Sequence, residues 1–309
     1  EFEQRVMQQG PNRQRGLNEN YARELMELHT LGVDGGYTQA DVGEVARAFT
    51  GWTLSRAPAA VYRGGGEVEF AFRPALHDRG AKTVLGRRLP AGRGVEDGRE
   101  VLRLLAAHPA TARRVARRLA ERFVADDPPP ALVDSLAAVF LRTGGDLREV
   151  TRALFLSGEI HDPRLRDAKV KTPFEFVASA LRAAGADVGP SRATLQALRG
   201  FGHLPYSAVA PTGYPHTSEE WTNGGAMLGR MSFALALADG RLDGVRVDPA
   251  VLRGPGVEAL AARVLPGRRD PELLATVRAD LKAQGGAGEQ AGKRRALGLL
   301  LGSPGFQRR

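Results

Sequence analysis

Asn20, Arg23, Glu24 and Glu27 stand at i, i+3, i+4 and i+7 of the stretch NENYARELMELHT, which places all four on one face of a helix. Glu24 and Glu27 then have Cβ atoms about 5–6 Å apart. Two carboxylates at about that separation can serve as nucleophile and acid in retaining glycoside hydrolysis. The same residues have a plain structural use. Glu19, Arg23 and Glu27 are spaced i, i+4, i+8, and each such pair stabilises a helix by about 0.2–0.5 kcal/mol. An arginine between carboxylates lowers their pKa values, which suits a structural pair better than a general acid. His29, near the C-terminal end of the helix, is favoured there as an imidazolium by the helix dipole and reads as a cap.

A further set of polar residues is His77-Asp78 with Lys82, in a stretch that reads as a loop. Loop-borne polar side chains carry function more often than those on helix faces. Neighbours in sequence point apart, so His77 and Asp78 form no base–orienter pair by themselves, but each can join a site with Glu24 or Glu27. The catalytic candidates are thus Glu24, Glu27, His77 and Asp78, with Arg23 as pKa tuner or anion clamp and Asn20 beside it. The structural alternative for His77-Asp78 is an Asx-type turn with a satisfied histidine. The loop from Gly202 to Asn223 holds His203, Tyr206, Tyr214, His216, Trp221 and Asn223. Aromatic rings with nearby amides suit a sugar surface, and Trp221 and Asn223 are its binding candidates; the same rings can simply pin a long loop. No spaced ligand motif such as HExxH is present, so no metal site is assigned and no cofactor is named. No nucleophile elbow, phosphate-binding loop or dinucleotide glycine pattern occurs either.

These residues need elements to hold them. Asn18 is an N-cap for a helix over 19–31, ended by Leu31-Gly32, and Asp34-Gly35-Gly36 turns the chain. Thr38 with Asp41 resembles a capping box opening a helix over 39–50, whose Val42, Val45, Ala46 and Phe49 form a core stripe. An antiparallel pairing of these helices brings Glu44 and Arg47 towards Arg23 and Glu24. Gly64-Gly65-Gly66 reads as a hairpin turn, Val68–Phe72 as a strand and Thr83–Leu85 as another. From about 94 the pattern is helical, with helices expected at 95–107, 109–125, 130–143, 147–157, 173–185, 191–200, 219–239, 256–264, 270–284 and 289–302. The fold class is mainly α: an irregular multi-helix bundle with a small β-hairpin or loop excursion near 60–90. Residues 1–239 form the main helical domain, with the excursion at about 53–92, and 240–309 a small helical segment packed on it.

Composition excludes some classes. With no cysteine there are no disulfides, thiolate metal sites or cysteine nucleophiles. No run of about 18 apolar residues marks a membrane span. The net charge is +9, yet nearly all basic residues are arginine, and abundant Ala, Gly and Pro accompany them. GC-rich coding produces that mixture, so nucleic acid is not the expected partner. Arg113, Arg114, Arg117, Arg118 and Arg122 line one helix, but no aromatics are interleaved for base stacking.

The segments NENYARELMELHTLGVDGGYTQADVGEVARAFTGW, FRPALHDRGAKTVLG, HPATARRVARRLAERFVADDPPP, KVKTPFEFV and LGLLLGSPGFQRR, with Trp221–Asn223, closely resemble the bacterial domain-of-unknown-function family 1800, in order along almost the whole chain. Members of that family usually carry an additional helical region at the N-terminus, so this chain looks like the C-terminal portion of a longer protein. The resemblance implies a largely helical fold, a periplasmic or extracellular setting, and genes adjacent to those of a sulfatase-like exported family. It implies no settled activity. Two readings stand: an exported or envelope-associated hydrolase acting on a carbohydrate or other polar polymer, and a non-catalytic helical scaffold or binding partner of a neighbouring exported sulfatase-like protein.

Overall fold

The computed structural model describes residues 17–55, 68–268, 270–284 and 288–309, and the fold is mainly α. The glycine turn expected at 64–66 and the lead-in over 1–16 lie outside the described residues. The chain divides into two compact units.

The first unit holds residues up to Arg118 and Val133–Ala153. Helix α1 (Glu19–Glu24) starts at Asn18, whose side chain accepts from the Tyr21 amide, and continues as a wider π turn over Leu25–Thr30. Thr38 and Asp41 form a complete capping box for α2 (Gln39–Ala48). Strands β1 (Trp52–Leu54) and β2 (Phe70–Phe72) pair antiparallel, with Trp52 opposite Phe72. Strands β3 (Lys82–Val84) and β4 (Arg87–Leu89) make a second antiparallel pair, turned at Leu85-Gly86, both at positive φ. The expected excursion is therefore two separate hairpin ribbons. Helix α3 (Val95–Ala106) closes the unit's core, where Met26, Val42, Val45, Val84, Leu89, Val101 and Leu105 are buried together.

Helices α4 (Pro109–Phe123), α5 (Pro130–Arg142) and α6 (Leu147–Phe155) follow. Ala112, Ala116 and Ala120 form the buried stripe of α4, while Phe123 is exposed. Its arginines are engaged: Arg113 pairs with Asp134, Arg122 with Glu175, Arg114 donates to the Leu28 carbonyl at 2.8 Å, and Arg117 and Arg118 also have partners.

The second unit holds Leu119–Leu132 and Leu154–Arg309. It contains α7 (Pro173–Ala183), α8 (Arg192–Gly200), α9 (Gly224–Ala238), α10 (Gly256–Val264), α11 (Pro271–Ala283), α12 (Glu289–Gly302) and the short α13 (Pro304–Gln307). Residues Asp187–Val188 and Val245–Arg246 add a two-residue ribbon, β5–β6. Phe176, Phe233, Leu237, Leu297, Leu300, Leu301 and Phe306 form one continuous core, so residues 240–309 bury their apolar face against 154–239.

Candidate functional site

Three short elements bring the first unit's charges together: the C-terminal turn of α2, the loop 73–81 that leads into β3, and the first turn of α3. Lys82 begins β3 with its side chain turned inward. Its ammonium donates to the Asp78 carbonyl at 2.6 Å, the Gly80 carbonyl at 2.9 Å and Asp97 Oδ2 at 2.8 Å, so all three protons are placed. Asp97 stands one and two turns before Val101 and Leu105 on the buried stripe of α3. The Lys82 and Asp97 side chains are 0% and 1% exposed, and desolvation on that scale is offset only by full pairing. Asp97 Oδ1 is buried without a hydrogen-bond partner among the described residues; Arg93 Nε lies 3.9 Å away.

His77 is buried beside them. Its Nδ1 lies 2.8 Å from the Thr50 carbonyl, which can only accept, so Nδ1 carries a proton; Nε2 faces Asp97 Oδ2 at 3.3 Å. Thr50 Oγ1 also lies 3.3 Å from Nδ1, giving Thr50, His77 and Asp97 the order of a nucleophile–base–orienter triad. The donors contradict that chemistry. The Thr50 hydroxyl donates to the Arg47 carbonyl at 2.6 Å and accepts from the Asp78 amide at 2.8 Å. The nitrogen that would take its proton is already a donor to backbone.

Asp78 turns away from His77, as adjacent residues do. Arg47 grips it with Nε at 2.9 Å and Nη2 at 3.1 Å, and the Gly80 amide adds a bond of 2.8 Å in an Asx-type turn. The Arg47 guanidinium holds the Asp78 carboxyl well below the usual carboxylate range, and in turn Asp78, then Glu44, pushes Arg47 up. Glu44 accepts from Arg47 at 2.6 Å and from the Thr83 amide at 2.8 Å. Asp41 accepts from the Leu85 amide at 2.7 Å. Burial pushes the Asp41 carboxyl up, and bonds from Thr38 and Leu85 more than offset that, leaving it low. Helix α2 thus uses its carboxylates to tie down the β3–β4 ribbon.

The first helix differs from the expected ladder. Arg23 donates to Gln39 Oε1 at 2.6 Å, and Gln39 Nε2 donates to Glu19 at 2.9 Å, so a glutamine from α2 takes the place of the intrahelical ion pairs. Glu27 accepts from the Tyr37 hydroxyl at 3.1 Å. Because the π turn begins at Leu25, Glu24 and Glu27 do not share a straight α-helical face. Glu24 is half-buried and makes no hydrogen bond or ion pair among the described residues; Asn20 is exposed. Arg47 meets Glu44 and Asp78 rather than Arg23 or Glu24.

A pocket of about 420 Å³ opens beside this network and shares Thr50 with it, lined by Asn18, Tyr21, Phe49, Thr50, Trp52, Thr53, Leu54 and Phe70 among others. Its rings form a chain of edge-to-face contacts: Tyr21–Phe49 at 5.5 Å, Phe49–Trp52 at 4.9 Å and Trp52–Phe70 at 4.7 Å. Tyr21, Leu54 and Phe70 are each about half exposed. Glu24, Glu27, His77 and Asp78 do not line it.

Residues 7–308 match the family described as protein of unknown function DUF1800. The chain belongs to the DUF1800 family. No curated protein and no solved structure matches it.

In this DUF1800 chain the two remaining candidates lie in the second unit. Trp221 is buried, donates to the Pro215 carbonyl at 3.3 Å and stacks on His203 at 5.1 Å. Burial pushes the His203 imidazole down. Asn223 is the N-cap of α9, accepting from the Ala226 amide at 2.9 Å. Tyr214 is pinned through its hydroxyl to the Leu204 carbonyl at 2.5 Å, whereas Tyr206 is fully exposed. No helix among the described residues is long and apolar enough to cross a membrane. Sequence reasoning missed Asp97 and Thr50. A signal for Asp97 existed: it is the one charged residue in register with Val101 and Leu105 at i, i+4, i+8.

Proposed function

We propose that this chain is a non-catalytic helical binding module that holds a partner protein on the aromatic pocket of its first unit. The observation that carries this reading is that none of the acid–base candidates lines that pocket. The charged residues are instead spent on one another and on backbone: Asp78 on Arg47, Lys82 on Asp97, Glu44 on the β3–β4 ribbon. Asp78, held ionised by Arg47, is a poor proton donor.

The pocket favours an apolar side chain over a sugar. The Asn18 side-chain Oδ1 is taken by the Tyr21 amide and the Thr50 hydroxyl by Arg47 and Asp78, which leaves few polar groups to read hydroxyls. Partly exposed aromatic rings around a concave apolar floor are the composition of an interface hot spot. The partner we propose is the neighbouring exported sulfatase-like protein that the family resemblance implies, which makes this an envelope or extracellular protein. Calorimetry with that protein tests it. The wild type is expected to bind, and Tyr21→Ala and Phe70→Ala to weaken binding at least about tenfold, the effect of losing one anchor contact, without loss of helical signal. Binding that survives both substitutions overturns the reading.

One observation favours the hydrolase alternative: Glu24 is a half-buried carboxylate with no partner among the described residues. Turnover on a glycan and ester panel that disappears in Glu24→Gln would establish it in place of the binding module.

A further inference from the structure

Helix α9 is built inside out. Arg230 is the one charged residue of its sequence GGAMLGRMSFALALA, and it points inward, fully buried, while Leu228 and Met231 face out. Arg230 Nη1 is satisfied, donating to the Lys171 carbonyl at 2.8 Å and to Gln307 Oε1 at 3.1 Å. The other edge of the guanidinium, Nε with Nη2, is buried and has no hydrogen-bond partner among the described residues. That edge is the two-pronged fork with which arginine grips carboxylates. Arg230 makes no ion pair among the described residues, and its guanidinium lies 5.5 Å over the Phe176 ring.

Lys171 repeats the pattern one ring away. Its ammonium sits 3.8 Å over Phe306 and makes no hydrogen bond or ion pair among the described residues. Phe306 and Phe176 touch edge to face, with centroids 6.1 Å apart. Two cations therefore stand on two adjoining rings with no carboxylate bonded to either. Burial, then the Arg268 charge, pushes Lys171 down to about 8, and burial pushes Arg230 down to about 10. Glu175 acts on both only through space. Buried donors left unmade cost about 1–3 kcal/mol each, more when charged, and an anion removes that cost.

We propose that Arg230 and Lys171 form a binding site for a small monovalent carboxylate, gripped by the Nε–Nη2 edge of Arg230 and neutralised by Lys171. The aromatic floor and the burial of Arg230 select a compact, singly charged ion over a phosphate. Lys171 is half-buried, whereas Arg230 is fully buried.

Carbon-13-labelled formate, titrated into the full chain and followed by NMR line broadening at constant ionic strength with chloride, tests the site. Saturable formate binding is expected in the wild type, with the thermal midpoint rising in formate relative to chloride. Lys171→Met and Arg230→Lys, which remove the charge and the fork in turn, are expected to weaken binding at least about tenfold. If Arg230→Lys fails to fold, Lys171→Met decides, since its side chain is the more exposed of the two. Absence of saturable binding in the wild type, or equal binding in Lys171→Met, overturns the proposal.

Discussion

Lys82 Nζ lies 2.8 Å from Asp97 Oδ2, and neither side chain reaches solvent. The pair spans β3 and α3, so it clamps a ribbon to a helix across the first unit's core. Removing one partner strands the other charge. Asp97→Ala is expected to destabilise the first unit by about 3–5 kcal/mol. The double variant Lys82→Met/Asp97→Leu should cost much less than the two single changes combined, because no charge is left orphaned. Urea unfolding followed by Trp52 emission in a Trp221→Phe background reads this unit alone, since the chain has only those two tryptophans.

Glu24 and Glu27 separate structure from chemistry. Glu27 accepts a hydrogen bond from Tyr37, so Glu27→Gln should lose about 0.5–1.5 kcal/mol at most. Glu24 bonds to no described residue, so Glu24→Gln should change stability by no more than about 0.5 kcal/mol. Denaturant midpoints for the two variants check this. A large loss in Glu24→Gln would overturn this expectation.

Acid should act on the Arg47–Asp78 clamp. The folded-state pKa of Asp78 lies below its ordinary value of 3.8, so the stability it contributes is fully present above that value. It is lost progressively as pH falls from there towards the folded-state value. Arg47→Met removes the cause of the shift. That variant is expected to be less stable at neutral pH and to lose less on acidification, so the two stability curves converge at low pH. Parallel curves would show that Asp78 draws nothing from Arg47.

The helices were legible because their end signals are local. Thr38 with Asp41 and Asn18 before α1 announce their caps within four residues of sequence, and the structure uses both. The polar centre was only half legible. His77, Asp78 and Lys82 stand close in sequence, but Asp97 joins them from 15 residues beyond Lys82, and its pattern resembles an ordinary acidic first turn of a helix. The Glu19–Arg23–Glu27 ladder failed for a physical reason. Gln39, 16 residues from Arg23, offers a neutral acceptor held on a neighbouring helix, and the π turn breaks the i+4 spacing beyond Glu24. Propensity carries no term for either.

Gly98 fixes the floor of the aromatic pocket. A Cβ there would lie 2.6 Å from Cζ2 and 2.8 Å from Nε1 of Trp52, so the indole packs directly on the α3 backbone. In a free helix Gly→Ala would gain about 1 kcal/mol. Here the methyl must displace a ring that also touches Phe49 and Phe70, and overpacking of this kind costs about 1–3 kcal/mol. Gly98→Ala should therefore be destabilising or neutral, shift the Trp52 emission, and weaken any ligand of the pocket. Adding Trp52→Leu removes the clash, so stability in the double variant should recover relative to Trp52→Leu alone by about the helix-propensity gain. If Gly98→Ala is instead stabilising with Trp52 emission unchanged, the indole does not rest on the helix, and the pocket it lines has a different floor.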